Sequence, residues 1–386
     1  MRYRWVILAV GTVAQGAFSA VLFGTSVLAP ALRDRYDLSL TQVGVLLATV
    51  SIGATVSVLP WGLLADRAGE RAVIATGLSA AGAALIAAGW AGTFGALVVL
   101  LILAGLFGAS VNAASGRAIM HWFGSEQRGL ALGVRQTSVT AGGAAAALVI
   151  PVIEHAGGTP WALAALGIGC LGAATLSVGL LREGPRPVPD VASHALEPLR
   201  DRQLWKLAGG SALLGAPQIC LVGFLVVFLH ERRDWSAGSA ALLFALLGIL
   251  GSVARILAGR WSDVIRSRVV PLRTIAVGLA VAVVASATAV GAPIGLLVAT
   301  LIVAGTLSMS WNGLAFTAAA ERAGHARSGA ALGLQQTILF VAGALLPIPF
   351  AAIVAGTSWQ AAFALLAAAP LAAWAVFRSL RETIPR

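Results

Sequence analysis

Gly62-Leu63-Leu64-Ala65-Asp66-Arg67-Ala68-Gly69-Glu70-Arg71 is a short charged stretch between two long apolar runs, at roughly 41–64 and 72–92. A second stretch, Gly259-Arg260-Trp261-Ser262-Asp263-Val264-Ile265-Arg266, repeats the glycine and the aspartate four residues apart, again between apolar runs. A charged turn placed twice between apolar segments is the pattern of a chain that crosses a bilayer and returns. A crossing helix needs about 20 apolar residues. Working outward from the two turns, such segments fall at roughly 5–32, 41–64, 72–92, 95–119, 130–153 and 161–181, and again at 206–230, 237–261, 272–291, 294–319, 329–353 and 358–378.

The twelve segments flank a polar stretch that carries Pro185, Pro187 and Pro189. They predict an all-α membrane protein with twelve transmembrane helices in two pseudo-symmetric six-helix bundles. The expected division is 1–181, a connecting loop 182–204, and 205–386.

Composition agrees. Of 386 residues, 59% are hydrophobic and only 11% charged, against about 25% charged in soluble domains. The 45 glycines suit helices that pack closely in lipid. The run after Arg2 and Arg4 extends to about Leu32, too long for a secretory signal core of 7–15 residues. Cys170 and Cys220 lie in apolar runs with no CxxC spacing, so neither a metal site nor a disulfide framework is expected. No phosphate loop, nucleophile elbow or HExxH occurs, which argues against an enzyme and for a protein without cofactors.

The net charge of +11 follows from topology and does not imply nucleic acid. With both termini on one side, that side collects nineteen of the 26 basic residues, while the other holds Arg33, Arg35, Arg232 and Arg233. Basic residues favour cytoplasmic loops, so both termini and the central loop are expected in the cytoplasm. The expected setting is a cell membrane, the inner membrane of a bacterium, with the bilayer and a small solute as partners and the chain a monomer.

The halves repeat. Leu132-Gly133-Val134-Arg135-Gln136-Thr137 returns 200 residues later as Leu332-Gly333-Leu334-Gln335-Gln336-Thr337, and Asn112 returns as Asn312. Gly158-Thr159-Pro160-Trp161 matches Gly356-Thr357-Ser358-Trp359, and Asp37-Leu38-Ser39 matches Asp234-Trp235-Ser236. Duplicated units are a plan of secondary transporters.

These features together resemble the major facilitator superfamily of transporters. Its signature loop is roughly G-x-L-x-D-R-x-G-R-R/K, matched here by Gly62, Leu64, Asp66, Arg67, Gly69 and Arg71. Glu70 departs from the usual basic residue, and the second copy keeps only Gly259 and Asp263. The resemblance implies alternating access, with the loops as a cytoplasmic latch. Asp66 would face the start of segment eleven near Ser328 and Gly329, and Asp263 the start of segment five near Arg128 and Gly129. The physical basis is the partial positive charge at a helix N-terminus, which a carboxylate can hold. Arg117, near the same end of segment four, is expected either to join the latch beside Asp66 or to snorkel towards headgroups.

Three arginines fall inside segments: Arg117, Arg135 and Arg255. Arg255 lies eight residues before Asp263, about 12 Å along a helix, near the midplane. No carboxylate lies at that depth; Glu154 comes nearest to a segment interior. A midplane arginine is expensive and by default functional. Its anion would be the solute itself, or else backbone carbonyls and water would satisfy it. Arg135 offers a second cation, on one half only. Gln15, Gln218, Asn112, Asn312 and Gln336 add neutral polar groups, and Phe18, Phe224, Phe340 and Trp311 candidate apolar walls. The substrate expected on these residues is a small organic or inorganic anion. The rival is proton-coupled multidrug efflux. That branch of the family usually carries a membrane carboxylate and a proline-bearing motif in segment five, both of which this chain lacks.

Overall fold

The computed structural model describes residues 3–123, 125–183, 200–324 and 328–381, without the side chains of residues 66, 113, 120, 125–130, 132, 328 and 329. Among the described residues the fold is helical throughout, with no strand. Eleven apolar helices are long enough to cross a bilayer, and one of these, Gly133–Leu180, has 48 residues. That is about twice what a ~30 Å hydrocarbon core requires. Gly158, at φ 78 and ψ 177, divides it. Glycine reaches that backbone region without the clash a Cβ would bring. The long helix is therefore two spans, and the total is twelve.

The sequence repeats mark duplicated turns. Asp37 (φ 50) and Asp234 (φ 53) both adopt left-handed backbone. Ser39 then caps the helix Leu40–Ala68 in a capping box with Gln42, and Ser236 caps the helix Ala237–Val264. Each serine oxygen takes an N–H that the first helical turn leaves unpaired. Arg35 ends the helix Tyr3–Tyr36 and donates to the carbonyls of Gly89 (2.9 Å) and Ala91 (3.4 Å) and to the Thr159 hydroxyl (2.8 Å). Arg233, its counterpart in span seven, donates to the carbonyls of Val290 and Ala292, both at 2.6 Å. In each half the first span's arginine thus ties off the end of the third. These four far-side arginines count as charge in a topology argument, yet two of them are internal braces.

Small residues set the packing. A Cβ on Gly53 of span two would fall 2.0 Å from the Ile102 carbonyl oxygen of span four, and one on Gly105 would fall 2.1 Å from that of Val50. Van der Waals packing of close backbones is what holds helices together in lipid.

The two halves meet on the side opposite the termini. Gly44, near the start of span two, abuts Pro347 and Ala351 of span eleven. Phe23 packs edge-on against Phe244 (5.9 Å between centroids). Thr140 and Ser252 share a hydrogen bond of 2.5 Å. At the rim Arg33 forms an ion pair with Glu231. These contacts close the far side over the space between the halves.

Five spans are interrupted between their ends, among them span twelve, which breaks at Ala367 between Trp359–Leu366 and Ala368–Arg378. Span four breaks at Ala109, between Phe94–Gly108 and Ser110–Trp122. Span ten breaks at Trp311, between Ile294–Ser310 and Asn312–Ala323. Span seven passes through a π turn, Gln218–Val222, and span eleven restarts at Pro347. π turns recur at functional sites.

This arrangement predicts a labelling pattern. Thr357 and Ser379 are both exposed, at opposite ends of span twelve, while Cys170 and Cys220 are buried. In intact cells an impermeant maleimide should label Thr357→Cys and spare Ser379→Cys; equal labelling of the two would break the twelve-span topology.

Candidate functional site

The interruptions in spans four, seven, ten and eleven border a cavity between the halves, with about 1020 Å³ of open space including its mouth. Its wall brings together Gln15, Asn112, Gln218, Asn312, Gln336 and Arg255, six of the seven residues expected from sequence. Gln136, the repeat partner of Gln336, is also on the wall, with Ser19, Ser26 and Ser51. Phe18 and Phe340 supply apolar faces, joined by Phe23 and Phe316. Phe224 instead belongs to an aromatic cluster with Phe350 (5.1 Å) and Trp359 (6.3 Å), and Trp311 is fully buried off the wall.

Two amide pairs face the cavity in pseudo-symmetric positions. Gln15 Nε2 donates to Asn112 Oδ1 (3.1 Å), and Asn312 Nδ2 donates to Gln218 Oε1 (3.3 Å). Both asparagines follow the breaks in spans four and ten, and Gln218 opens the π turn, so helix irregularity is what turns these amides inward.

The two deep arginines differ. Arg135 is 7% exposed and stands behind the wall. It donates to Ser115 Oγ (2.8 Å), Gln15 Oε1 (2.8 Å), the Asn112 carbonyl (3.3 Å) and Gln136 Oε1 (3.4 Å). Its cation orients three wall residues and is not itself on the wall. Arg255 is 6% exposed and is on the wall. Its Nε and Nη2 both donate to the Met309 carbonyl (3.3 and 3.1 Å), and Nη1 to the Gln136 carbonyl in the other half (2.7 Å). A guanidinium has five N–H donors; three are used here, and two remain. No carboxylate contacts either arginine among the described residues.

Comparison with known proteins decides the family. The model of the Major Facilitator Superfamily matches residues 8–347. The chain belongs to the major facilitator superfamily. An uncharacterized MFS-type transporter of Mycobacterium tuberculosis is 34% identical over 377 residues, 96% of this chain and 84% of that protein. A probable sulfoacetate transporter of Cupriavidus necator is 27% identical over 267 residues, 64% of this chain and 62% of that protein. The partially occluded, inward open xylose transporter XylE of E. coli superposes over the full length of both chains with a TM-score of 0.82 at 16% identity. The protein is thus a multi-pass membrane transporter of small solutes and not an enzyme.

The superfamily's signature loop has its own geometry here. Gly69 (φ 86) joins spans two and three, and a Cβ there would lie 2.5 Å from the Glu183 carboxyl. That carboxyl accepts from the backbone N–H groups of Glu70 (3.2 Å) and Arg71 (3.1 Å). It thereby holds the positive N-terminus of span three. Burial, with the adjacent Glu70 carboxyl, raises its pKa. Glu70, the departure from the family pattern, is buried and forms ion-pair contacts with Arg117 Nε (3.1 Å) and His121 Nδ1 (2.9 Å). An acid at this position has a partner that a basic residue would repel. The Asp66 side chain lies outside the described residues, as do those of Ser328, Gly329, Arg128 and Gly129, so the expected cross-half contacts rest on none of the described groups.

Asp263 accepts from Arg268 Nη1 (2.5 Å), and Arg268 Nη2 also donates to Glu321 (2.7 Å). Among the described residues these contacts link two elements of the second half. Burial lowers the Arg268 pKa, but the two carboxylates outweigh it and raise it. The side chains of Arg67 and Arg71 are exposed to solvent, and Gly259 has open space around it.

Breaking a buried ion pair costs about 3–5 kcal/mol. Glu70→Arg should therefore lower the melting temperature of the detergent-solubilised protein, and adding Arg117→Glu should restore much of the loss. Equal melting temperatures for the single and double variants would reject the pairing.

Proposed function

We propose that this transporter carries a small organic anion by alternating access, with Arg255 as the cation that meets it. The observation that carries this reading is the state of Arg255. It sits on the cavity wall, and among the described residues two of its N–H donors are unused and no carboxylate contacts it. A buried cation without an anion is unfavourable, and an anionic solute removes the deficit. A relative at 27% identity is named for an organic anion, which supports the reading.

Arg255 also offers a means of coupling. Its Nη1 bond to the Gln136 carbonyl spans the two halves. A solute bound to the free donors sits against a contact that has to rearrange when the halves rock. The amide pairs Gln15–Asn112 and Gln218–Asn312 would hold the solute's neutral polar groups, with Arg135 fixing Gln15 and Gln136 from behind. The termini and the 182–204 connector between bundles 1–181 and 205–386 face the cytoplasm in this reading, from the basic-residue bias.

The test is uptake into proteoliposomes with competing anions. Arg255→Lys keeps the charge but loses the planar fork, so affinity should fall about 10- to 100-fold, the equivalent of one charge-assisted hydrogen bond. Arg255→Ala should abolish anion binding. Wild-type affinity in Arg255→Ala, or full-rate extrusion of a cationic dye by that variant, would move the assignment to multidrug efflux.

A further inference from the structure

We propose that the cavity selects anions bearing a single negative charge and rejects dianions. The inference rests on the anion reading above and concerns its charge. Among the described residues, Arg255 is the sole charged side chain on the wall. The second deep cation is withdrawn. Arg135 has four hydrogen bonds to Ser115, Gln15, Asn112 and Gln136, and Gln15, Asn112 and Gln136 line the cavity while Arg135 does not.

What remains on the wall is neutral. Six amides, from Gln15, Asn112, Gln136, Gln218, Asn312 and Gln336, surround one guanidinium. Two of those amides retain a buried polar atom without a partner: Asn112 Nδ2, a donor, and Asn312 Oδ1, an acceptor. Such atoms are costly unless a ligand or water satisfies them. One donor and one acceptor at equivalent positions suit hydroxyl or carbonyl groups, which are neutral. A second full charge would find no cation and would lose its water to amides alone, which is expensive in a low-dielectric site. The substrate class is therefore a monoanion, a carboxylate or sulfonate, with an uncharged hydroxylated or carbonyl-bearing body.

The wall also shows why the duplication is uneven. Arg135 aligns with Gln335 and Arg255 has no basic counterpart in the first half at its offset. The single positive charge is thus a property of one half, while the amide pairs belong to both.

Calorimetric titration of the full chain in lipid nanodiscs tests this with a panel of defined charge. The monoanions are gluconate and glucuronate, the dianion is sulfoacetate, and glucose 6-phosphate changes from one class to the other. Its second ionisation lies at about pH 6, so it is mostly singly charged at pH 5 and doubly charged at pH 7.5. The monoanions should bind at both pH values in an Arg255-dependent way. Glucose 6-phosphate should bind at least tenfold more tightly at pH 5 than at pH 7.5, and sulfoacetate at least tenfold more weakly than glucuronate. In a second arm, Gln336→Arg adds a cation to the wall and should shift preference towards the dianions. Dianions that bind the wild type as tightly as monoanions, through Arg255, would overturn charge selection and leave the anion reading intact. No Arg255-dependent binding anywhere in the panel would overturn both.

Discussion

A guanidinium enclosed by membrane helices must find oxygen atoms, because lipid offers none and the loss of its hydration is large. The architecture around this cavity can be followed from how that demand is met twice. Arg135 is met by side chains: a serine, two glutamines and, through its backbone, an asparagine. Arg255 is met by main chain, at Met309 and Gln136. The first solution uses four of the five donors and yields a polar layer of side chains. The second leaves donors over and makes the arginine depend on where two different helices place their carbonyls.

Two of the helix breaks lie beside carbonyls that the arginines use, while the third acceptor, Gln136, lies within a continuous helix. A regular helix pairs its own carbonyls, so an oxygen free enough to accept from an arginine is easiest to find near an interruption. Met309 lies two residues before the break at Trp311. The pseudo-equivalent break at Ala109 positions Asn112, whose carbonyl meets Arg135. The duplicated fold thus provides two comparable break points, and the sequence has put a cation to use at each in a different way.

Much of this was legible before any coordinates. The turn pairs Asp37/Ser39 and Asp234/Ser236 were visible as repeats, because a left-handed aspartate and an N-cap serine are chemically specific. The depth of Arg255 followed from helix rise alone. Gln15, Gln218, Asn112 and Asn312 stood out because polar residues in apolar runs are few. What was not legible is direction. Arg135 and Arg255 look alike in a hydropathy pattern, and which of them reaches the cavity depends on helix rotation and on Ser115, twenty residues away in span four. Gln136 adjoins Arg135 in sequence and is the repeat partner of the candidate Gln336, yet nothing in the pattern shows that it faces the cavity. The braces at Arg35 and Arg233 were hidden for a different reason: an arginine near a membrane surface needs no explanation beyond topology, so nothing in sequence marks it as a cap for another helix. Phe224, a candidate wall residue from sequence, follows the π turn that carries Gln218 and packs among aromatic rings instead.

The signature loop carries the same lesson about departures. Glu70 replaces a residue that is usually basic in the family, and a motif match treats that as a defect. In the folded chain it is the acid that buries against Arg117 and His121, while Glu183 takes the helix N-terminus beside it. A carboxylate held at 5% side-chain exposure needs a cation, and Arg117 is that cation. The cost of burying each charge is offset by the other, which couples spans three and four at the end of the molecule where the loop lies. Reversing the charge at position 70 alone sets two cations against each other, so positions 70 and 117 are coupled, whereas the exposed Arg67 and Arg71 are under no such constraint.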